Sequence, residues 1–292
     1  MRARIVPAAS LGRVSREPWV DRDRRAYVEG DTAWVPVRQD FPCDCELPPR
    51  EPYLGRGYRM VGDIALVNGR RPTEAEVRAI VAWKRPSGVL WVRGYVGHER
   101  IPETIVLYGK SGEVLHREQG VRYVLDPAEL MFCHGNRGEK ARMARLVAEG
   151  RANPRIADMF AGIGYFTIPL ALAGGKVHAM ECNPAAYHRL LANIGQNGVS
   201  DRVIPSFGDC RELLSGQYDR VVMGHFDAPG MLPFALAHTR PGSVIHVHSI
   251  GREAPDLSPA FREAGVSASV RVGKVKKYAP GRWHYVQDVT VE

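Results

Sequence analysis

The amino-acid sequence predicts an α/β protein with a doubly wound, mostly parallel sheet and a terminal antiparallel strand, preceded by a small α+β domain. From residue 126 onward, strand-like and helix-like runs alternate, which is typical of repeated β–α units. Two strand-like runs joined by a tight turn close the chain, and such a hairpin adds an antiparallel strand to a parallel sheet. Residues 1–125 lack this alternation. We therefore predict two domains, residues 1–125 and residues 126–292.

The small domain is predicted from short runs with strand or helix character. The run "TAWVPVR" alternates apolar and polar positions, and "MVGDIALVN" is rich in apolar and β-branched residues, so each predicts one strand. Thr73 is followed three residues later by Glu76. This is the spacing of a capping box and predicts a helix over residues 73–86. Strand character returns in "GVLWVRGYVG", "ETIVLYG" and "VRYVLDP".

The second domain is predicted from a regular succession of elements. Helices are predicted for "GEKARMARLVAEG", "YFTIPLALAGG" and "AAYHRLLANIGQNG". Strands are predicted for "RIADMF", "KVHAME", "RVIPSFGD", "YDRVVMGH" and "SVIHVHSI". The runs "ASVRVGKVKKY" and "RWHYVQDVTV" form the closing hairpin around Ala279-Pro280-Gly281. Ligands of such sheets bind outside the carboxyl ends of the strands, where the strand order reverses.

Composition narrows the class of protein. None of the apolar runs approaches the ~20 residues that a membrane-spanning helix needs. Cys43 and Cys45 are too close for a zinc half-site and have no second pair, so we predict no metal and the reduced thiols of a cytoplasmic protein. The net charge of +8 is spread along the chain and suits a polyanion such as RNA. An arginine-rich composition is the alternative explanation, since only seven of the forty cations are lysines.

An acidic residue follows each of three successive predicted strands, namely Asp158, Glu181 and Asp209. Gly162 and Gly164 lie in the first strand-to-helix turn, where the missing side chains allow the backbone to approach a ligand. This spacing is typical of an S-adenosylmethionine site, in which Glu181 accepts the ribose hydroxyls and Asp209 the adenine amino group. The full G-x-G-x-x-G of a dinucleotide site is absent. The alternative is a tight turn flanked by solvated acids.

Several motifs resemble the archaeal tRNA wybutosine-synthesis aminocarboxypropyltransferases: "LMFCHGNRGEKARM", "DMFAGIGYFTIP", "MECNPAAY", "GDCREL", "VVMGHFDAP" and "KKYAPGRWHYVQDV". The resemblance covers nearly all of residues 120–292. It implies a Rossmann-like methyltransferase sheet and S-adenosylmethionine as donor of a 3-amino-3-carboxypropyl group. The implied substrate is the tricyclic guanosine derivative 3′ of the anticodon in tRNA(Phe), and the implied by-product is methylthioadenosine. We expect an archaeal, monomeric enzyme of the cytoplasm.

The resemblance also implies the cofactor residues. Cys133, which is Ser in relatives, and Lys140 would contact the amino-acid end, and Asp209 with Cys210 the adenine. A solvated helix lysine is the alternative for Lys140. The full predicted set lies in and just before the first helix of the second domain and around the strand ends: Cys133, Lys140, Asp158, Phe160, Gly162, Gly164, Glu181, Asp209 and Cys210.

Two further groups of residues are predicted to act on the RNA. The substrate carbon must lose a proton, and His225 and Asp227 follow the fourth strand, where the base should lie. Positioning alone, without a protein base, is the alternative. The closing hairpin carries cations that can hold phosphates beside aromatic residues that can stack bases: Lys274, Lys276, Lys277 and Arg282. Sheet-edge lysines that prevent aggregation are the alternative.

Two other functions stay open from the sequence. The related tRNA guanine-N1 methyltransferases carry Asn-Leu-Pro-type residues where this chain has Met223-Gly224-His225, so this loop favours aminocarboxypropyl transfer. We also expect the chain to be too short at its N-terminus for the extra domain of those methyltransferases. A catalytically silent RNA-binding protein with the same sheet is the other alternative.

Overall fold

The structure, a computed structural model, describes residues 1–48, 53–97 and 100–292. The chain divides into two compact units, Met1–Leu54 and Gly55–Glu292. The predicted domain boundary between residues 125 and 126 falls inside the second unit and stays a prediction.

The first unit contains a small sheet and one short helix: β1 (Arg2–Pro7), α1 (Leu11–Val14), β2 (Tyr27–Glu29), β3 (Thr32–Pro36) and β4 (Cys45–Glu46). The strand order is β2-β3-β1-β4. Val14, Val20 and Val35 are buried together and form its core. Strand β3 confirms the strand predicted from "TAWVPVR".

The second unit begins with a four-stranded sheet and a helix: β5 (Arg59–Val61), β6 (Ile64–Asn68), α2 (Glu74–Lys84), β7 (Gly88–Val96) and β8 (Ile101–Gly109). The strand order is β5-β6-β7-β8. The capping box predicted for α2 is present, because Thr73 accepts from the Glu76 backbone and Glu76 from the Thr73 backbone.

The single strand predicted over residues 60–68 is wrong. Strands β5 and β6 pair as an antiparallel hairpin, because the chain reverses at Gly62, whose φ is +57°. A Cβ at this position would lie 2.7 Å from the Cβ of Val114. Glycine is therefore required at this position for two reasons: the backbone is left-handed, and a side chain would collide with Val114.

A two-stranded hairpin and a seven-stranded sheet complete the second unit: β9 (Val114–Glu118), β10 (Val121–Leu125), α3 (Arg137–Ala148), β11 (Arg155–Asp158), α4 (Thr167–Leu172), β12 (Lys176–Glu181), α5 (Pro184–Gln196), β13 (Val203–Phe207), α6 (Cys210–Leu213), β14 (Arg220–Met223), α7 (Leu232–Leu236), β15 (Val244–Gly251), α8 (Ser258–Ala264), β16 (Ala268–Ala279) and β17 (Arg282–Val291).

The large sheet confirms the predicted fold class. Its order is β13-β12-β11-β14-β15-β17-β16. Strands β11 to β15 are parallel, and β17 pairs antiparallel with both β15 and β16. The chain moves outward on one side of β11 through β12 and β13, then returns to its other side with β14. The strand order thus reverses at β11, and a crevice is expected at its carboxyl end.

The β9–β10 hairpin is attached to the helix layer of the large sheet. The side-chain oxygen of Asn193 accepts from the Val124 backbone N–H at 2.6 Å, and that of Asn197 accepts from the Arg122 N–H at 2.9 Å. Because Asn193 is fully buried, these bonds fix the hairpin against α5.

Candidate cofactor and RNA-base site

The turn after β11 is held by a buried carboxyl group. Asp158 is fully buried, and Thr167 donates its hydroxyl to Asp158 Oδ2 at 2.7 Å. Burial raises the pKa of Asp158 to about 6, although the hydrogen bond from Thr167 opposes this shift. Gly162 and Gly164 have φ of +56° and +100°, so both positions of the turn favour glycine.

Glu181 connects the ends of three strands. Its Oε2 accepts from the Gly162 N–H at 2.7 Å, and its Oε1 accepts from the Asn183 N–H at 2.8 Å. Its backbone carbonyl accepts from the Gly208 N–H at 3.0 Å. The predicted loop glycines and the predicted ribose acceptor are therefore in direct contact, and Asp209 follows in the next position of the chain.

Asp209 and Cys210 begin the short helix α6. Asp209 accepts from the Arg211 backbone N–H at 2.9 Å, and its carboxylate is also paired with the Arg211 guanidinium. The hydrogen bonds from Arg211 lower the pKa of Asp209. Cys210 is buried, and burial raises the pKa of its thiol to about 11, so the sulfur offers an apolar surface at neutral pH.

Lys140 lies in a buried cage. It is 2% exposed and forms an ion pair with Glu118 of β9. Its ammonium is 5.4 Å from the Tyr123 ring centroid, 5.1 Å from that of Phe132 and 5.7 Å from that of Tyr165. The alternative of a solvated lysine is therefore wrong, and the contact of Lys140 with the cofactor stays a prediction. Sequence reasoning missed Glu118, which nothing in the motifs distinguishes from a surface acid.

His225 stands between two aromatic rings. Its imidazole stacks on Phe160 with a centroid distance of 5.4 Å and lies 6.3 Å from the Phe226 centroid. The Asp227 backbone N–H donates to His225 Nδ1 at 3.3 Å, and Asp227 Oδ2 lies 3.6 Å from the same atom. The structure thus brings the predicted catalytic pair into contact with Phe160 of the predicted cofactor set.

Gly224 explains part of the unusual loop after β14. A Cβ on Gly224 would lie 3.0 Å from the Phe166 ring. Glycine therefore allows this loop to pass close to the turn after β11, and this contact brings the His225 segment toward Phe160.

A cluster of cationic and aromatic side chains lines an adjacent cavity of about 600 Å³. We call it the cation–aromatic cluster: Tyr95, Arg100, Phe226, Lys276, Lys277 and Tyr278. Cys133 lines the same cavity, and Lys276 Nζ lies 3.3 Å from its Sγ. The predicted Lys276 and Lys277 belong to the cluster. Sequence reasoning missed Tyr95, Arg100 and Phe226, because the first two lie on another sheet.

Lys274 and Arg282 are not part of this cavity lining. Lys274 lies over the Trp283 ring at 4.8 Å, and Arg282 is exposed at the turn of the closing hairpin. Their predicted role in binding RNA stays a prediction.

The remaining predicted cofactor residues form what we call the strand-end cluster: Asp158, Phe160, Gly162, Gly164, Glu181, Asp209 and Cys210. These residues fit S-adenosylmethionine, because carboxylates at two strand ends can accept hydroxyl and amino protons. The glycine turn also leaves backbone without side chains beside them. Within the described ranges, no group of three or more His, Cys, Asp or Glu side chains could hold a metal ion. None of the helices described is long and apolar enough to cross a membrane.

The chain is similar to known proteins over most of its length. The family model described as "TRM5/TYW2 methyltransferase domain" matches residues 114–272. A Methanocaldococcus jannaschii protein named tRNA(Phe) (4-demethylwyosine(37)-C(7)) aminocarboxypropyltransferase is 37% identical over 252 residues. That match covers 82% of this chain and 99% of the relative.

Two solved structures from the same organism differ in how much of this chain they match. The structure of TYW2 in complex with AdoMet has a TM-score of 0.64 and 33% identity, and covers 81% of this chain and 99% of its own. The structure of the tRNA m1G37 methyltransferase has a TM-score of 0.67 and 23% identity, and covers 100% of this chain and 99% of its own. The expectation that this chain is too short for the extra domain of the methyltransferases is therefore wrong.

Proposed function

Because this chain belongs to the TRM5/TYW2 family, we propose that it transfers the 3-amino-3-carboxypropyl group of S-adenosylmethionine to a tricyclic guanosine derivative 3′ of the anticodon in tRNA(Phe). By analogy with the M. jannaschii relative, the acceptor is C7 of 4-demethylwyosine at nucleotide 37. The protein is a transferase and a tRNA-modifying enzyme of wybutosine synthesis. We place it in the cytoplasm of an archaeon, as a monomer.

The observation that best supports this proposal is the position of His225 between the two clusters. Phe160 of the strand-end cluster stacks on His225, and His225 lies beside Phe226 of the cation–aromatic cluster. The His225 imidazole thus contacts both the proposed cofactor site and the cluster proposed to bind the RNA base. Alignment of donor and acceptor across such a junction is the main source of rate when the leaving group is already activated.

The strand-end cluster binds and orients the donor. In this proposal Glu181 accepts the ribose hydroxyls, and its two backbone hydrogen bonds keep the carboxylate in place. Asp209 and Cys210 face the adenine, and Gly162 and Gly164 allow the backbone to approach the ligand. Cys133 and Lys140 remain the candidates for the amino-acid end of the cofactor.

The reaction exchanges one bond for another. The acceptor carbon forms a bond to the γ-carbon of the methionine moiety, while the bond from that carbon to the sulfonium sulfur breaks. The electron pair stays on sulfur, and methylthioadenosine leaves. The acceptor carbon loses its proton to a base, which restores the aromatic ring.

Asp227 is the better candidate for that base. His225 Nδ1 accepts from the Asp227 backbone N–H, so a neutral imidazole carries its proton on Nε2 and offers a donor there. His225 would then donate a hydrogen bond to the substrate, while the Asp227 carboxylate accepts the proton. Asp227→Asn should lower kcat more than it raises KM, whereas His225→Gln should mainly raise KM.

A second candidate function is methylation of the guanine N1 at the same nucleotide. It is favoured by the m1G37 methyltransferase structure, which covers 100% of this chain. It is disfavoured by Met223-Gly224-His225, because the resemblance described above implies Asn-Leu-Pro-type residues at this position in the methyltransferases.

The experiment that tests the proposed function uses tRNA(Phe) transcripts modified to the tricyclic stage. The protein is incubated with this tRNA and S-adenosylmethionine, and the digested nucleosides are weighed by mass spectrometry. We expect the mass of an added aminocarboxypropyl group on the tricyclic nucleoside. A methyl increment, or no S-adenosylmethionine-dependent product, would contradict the proposal. A matched tRNA with guanosine at this position serves as the control.

A further inference from the structure

The cation–aromatic cluster is assembled from three distant parts of the chain. Tyr95 lies near the end of β7, and Arg100 follows the turn before β8. Phe226 follows β14, and the remaining residues lie on the closing hairpin. The cavity they line, at about 600 Å³, falls in the usual range for a small-molecule site.

The hairpin brings three consecutive residues to this cavity by irregular pairing. In a regular strand, neighbouring side chains point to opposite faces. Here the register shifts between Lys274 and Lys276 and again between Lys277 and Ala279. Such bulges redirect side chains, so Lys276, Lys277 and Tyr278 all line the cavity.

The Arg100 guanidinium is the centre of the cluster. It lies 5.1 Å from the Phe226 ring centroid and 5.5 Å from the Tyr95 centroid. Its terminal nitrogen is 3.5 Å from the Tyr278 hydroxyl. The Phe226 ring is held from its edges, at 84° to His284 and 73° to Tyr278. Phe226 therefore supports the guanidinium from a fixed position.

An independent observation concerns one hydrogen-bond donor of this arginine. Its Nε is buried and has no hydrogen-bond partner among the described residues. A buried donor without an acceptor is costly in a protein. A tRNA nucleotide that places an acceptor at this edge of the guanidinium would remove this cost. Tyr95 and Tyr278, at 39% and 43% exposure, leave ring surface available beside it.

We propose that Arg100, supported by Phe226 and flanked by Tyr95 and Tyr278, is the stacking platform on which the protein distinguishes a fused three-ring base from guanine. This inference rests on the proposed function and adds residues and a source of specificity to it. A planar guanidinium stacks on bases as aromatic rings do. Stacking grows with the overlapping ring area, so a third fused ring gains contact that guanine cannot make.

The decisive variant is Arg100→Lys. Lysine retains the positive charge but removes the plane, so it separates stacking from attraction to phosphate. Arg100 lies at a hairpin end and outside the core, so this variant should fold. Arg71→Lys is the matched control, because Arg71 lies over the Trp91 ring at 5.7 Å in the same sheet but away from this cavity.

The measured quantity is the ratio of two dissociation constants, for tRNA with guanosine and for tRNA with the tricyclic base at the target nucleotide. We expect the wild type to favour the tricyclic tRNA, and Arg100→Lys to reduce the ratio by at least about fivefold, the lower end of base–aromatic stacking. The salt dependence of binding should be unchanged, and Arg71→Lys should keep the wild-type ratio. Phe226→Leu should also reduce the ratio, whereas Phe226→Tyr should retain it.

The outcomes separate this inference from the proposed function. Equal binding of both tRNAs by the wild type, or an unchanged ratio in Arg100→Lys, overturns the platform even if aminocarboxypropyl transfer occurs. Absence of transfer by the wild type, with the ratio lowered in Arg100→Lys, contradicts the proposed function and leaves the platform supported. A ratio lowered equally by Arg71→Lys would also overturn it, because the effect would not belong to this cavity.

Discussion

The strand-end cluster and the cation–aromatic cluster meet at His225 but are built in opposite ways. The first is local: its acids and glycines follow successive parallel strands, and Glu181 bonds directly to the Gly162 backbone. The second is assembled from a hairpin of one sheet, a loop of another and the bulged end of β16. The comparison indicates that the proposed donor site is determined by the parallel sheet itself, whereas the proposed acceptor site depends on how separate elements pack.

The largest expected effect is a loss of stability on substitution of Lys140, the predicted cofactor residue that contacts β9. Lys140→Met removes the buried counter-ion of Glu118, which is 6% exposed, and leaves it paired only with the more exposed Arg137 at 3.4 Å. A buried pair broken on one side loses about 3–5 kcal/mol of unfolding free energy, measurable by denaturant titration. The double variant Glu118→Gln/Lys140→Met should recover most of this loss.

The double variant also decides the role of Lys140 in binding. If Lys140 contacts the cofactor, the double variant should bind S-adenosylmethionine more weakly than the wild type in calorimetry, although its stability is restored. Unchanged affinity would show that the caged lysine is structural and would remove it from the cofactor site.

The next effect concerns the strand-end cluster alone. Glu181→Ala should weaken S-adenosylmethionine binding by ~1–3 kcal/mol, because buried hydroxyl groups of the ribose lose a charged acceptor. Affinity for tRNA should not change, since this residue belongs to the proposed donor site. Glu74→Ala is the control, because Glu74 is exposed on α2. Calorimetry that finds wild-type affinity in a folded Glu181→Ala protein would remove Glu181 from the site.

The next prediction concerns the salt dependence of tRNA binding and tests the cation–aromatic cluster. Each phosphate contact contributes roughly 0.7–0.9 to the slope of log affinity against log salt, so Lys276→Gln/Lys277→Gln should flatten the slope for tRNA by up to roughly 1.4–1.8. Lys84→Gln/Lys176→Gln serves as the matched control, since neither lysine lines the cavity. An unchanged slope would place the phosphates elsewhere on the protein.

The smallest effect is a pH dependence of stability that comes from Asp158. Burial raises the folded pKa of this carboxyl to about 6, above the usual range of an aspartate, so the folded protein favours the protonated form. Stability is therefore highest below about pH 4 for this group and falls as the pH rises toward about 6. Between pH 5 and 7.5, the melting temperature of the wild type should fall more than that of Asp158→Asn. Parallel pH profiles of the two proteins would show that this carboxyl does not titrate as its burial predicts.

The two clusters also differ in how far the sequence predicts them. The acids after β11, β12 and β13 were recognisable because parallel strands place their carboxyl ends at one edge, so spacing along the chain becomes proximity in space. The same alternation of strands and helices made the parallel sheet predictable, and two strand-like runs around a tight turn made the closing hairpin predictable. Phe160, which was predicted to bind the cofactor, stacks on His225, and its role stays a prediction.

The sequence could not reveal contacts between elements of different sheets. Arg100 and Tyr95 carry no motif, and their proximity to Phe226 depends on the packing of two sheets. From the sequence, Lys140 could equally have been a solvated lysine, because its partner Glu118 lies on β9 and is distant along the chain. The strand predicted over residues 60–68 failed because Gly62 was treated as an ordinary strand residue, whereas its φ of +57° places it in a turn.

The most direct test of the account follows two labels of the cofactor onto tRNA. The protein is incubated with tricyclic tRNA(Phe) and S-adenosylmethionine labelled either in the carboxyl carbon or in the methyl group, and the tRNA is separated from methylthioadenosine. Met223-Gly224-His225 and the cluster beside it predict that the carboxyl label appears on the tRNA, while the methyl label stays in methylthioadenosine. A methyl label on the tRNA would contradict the account and assign the protein to the methylating branch of its family.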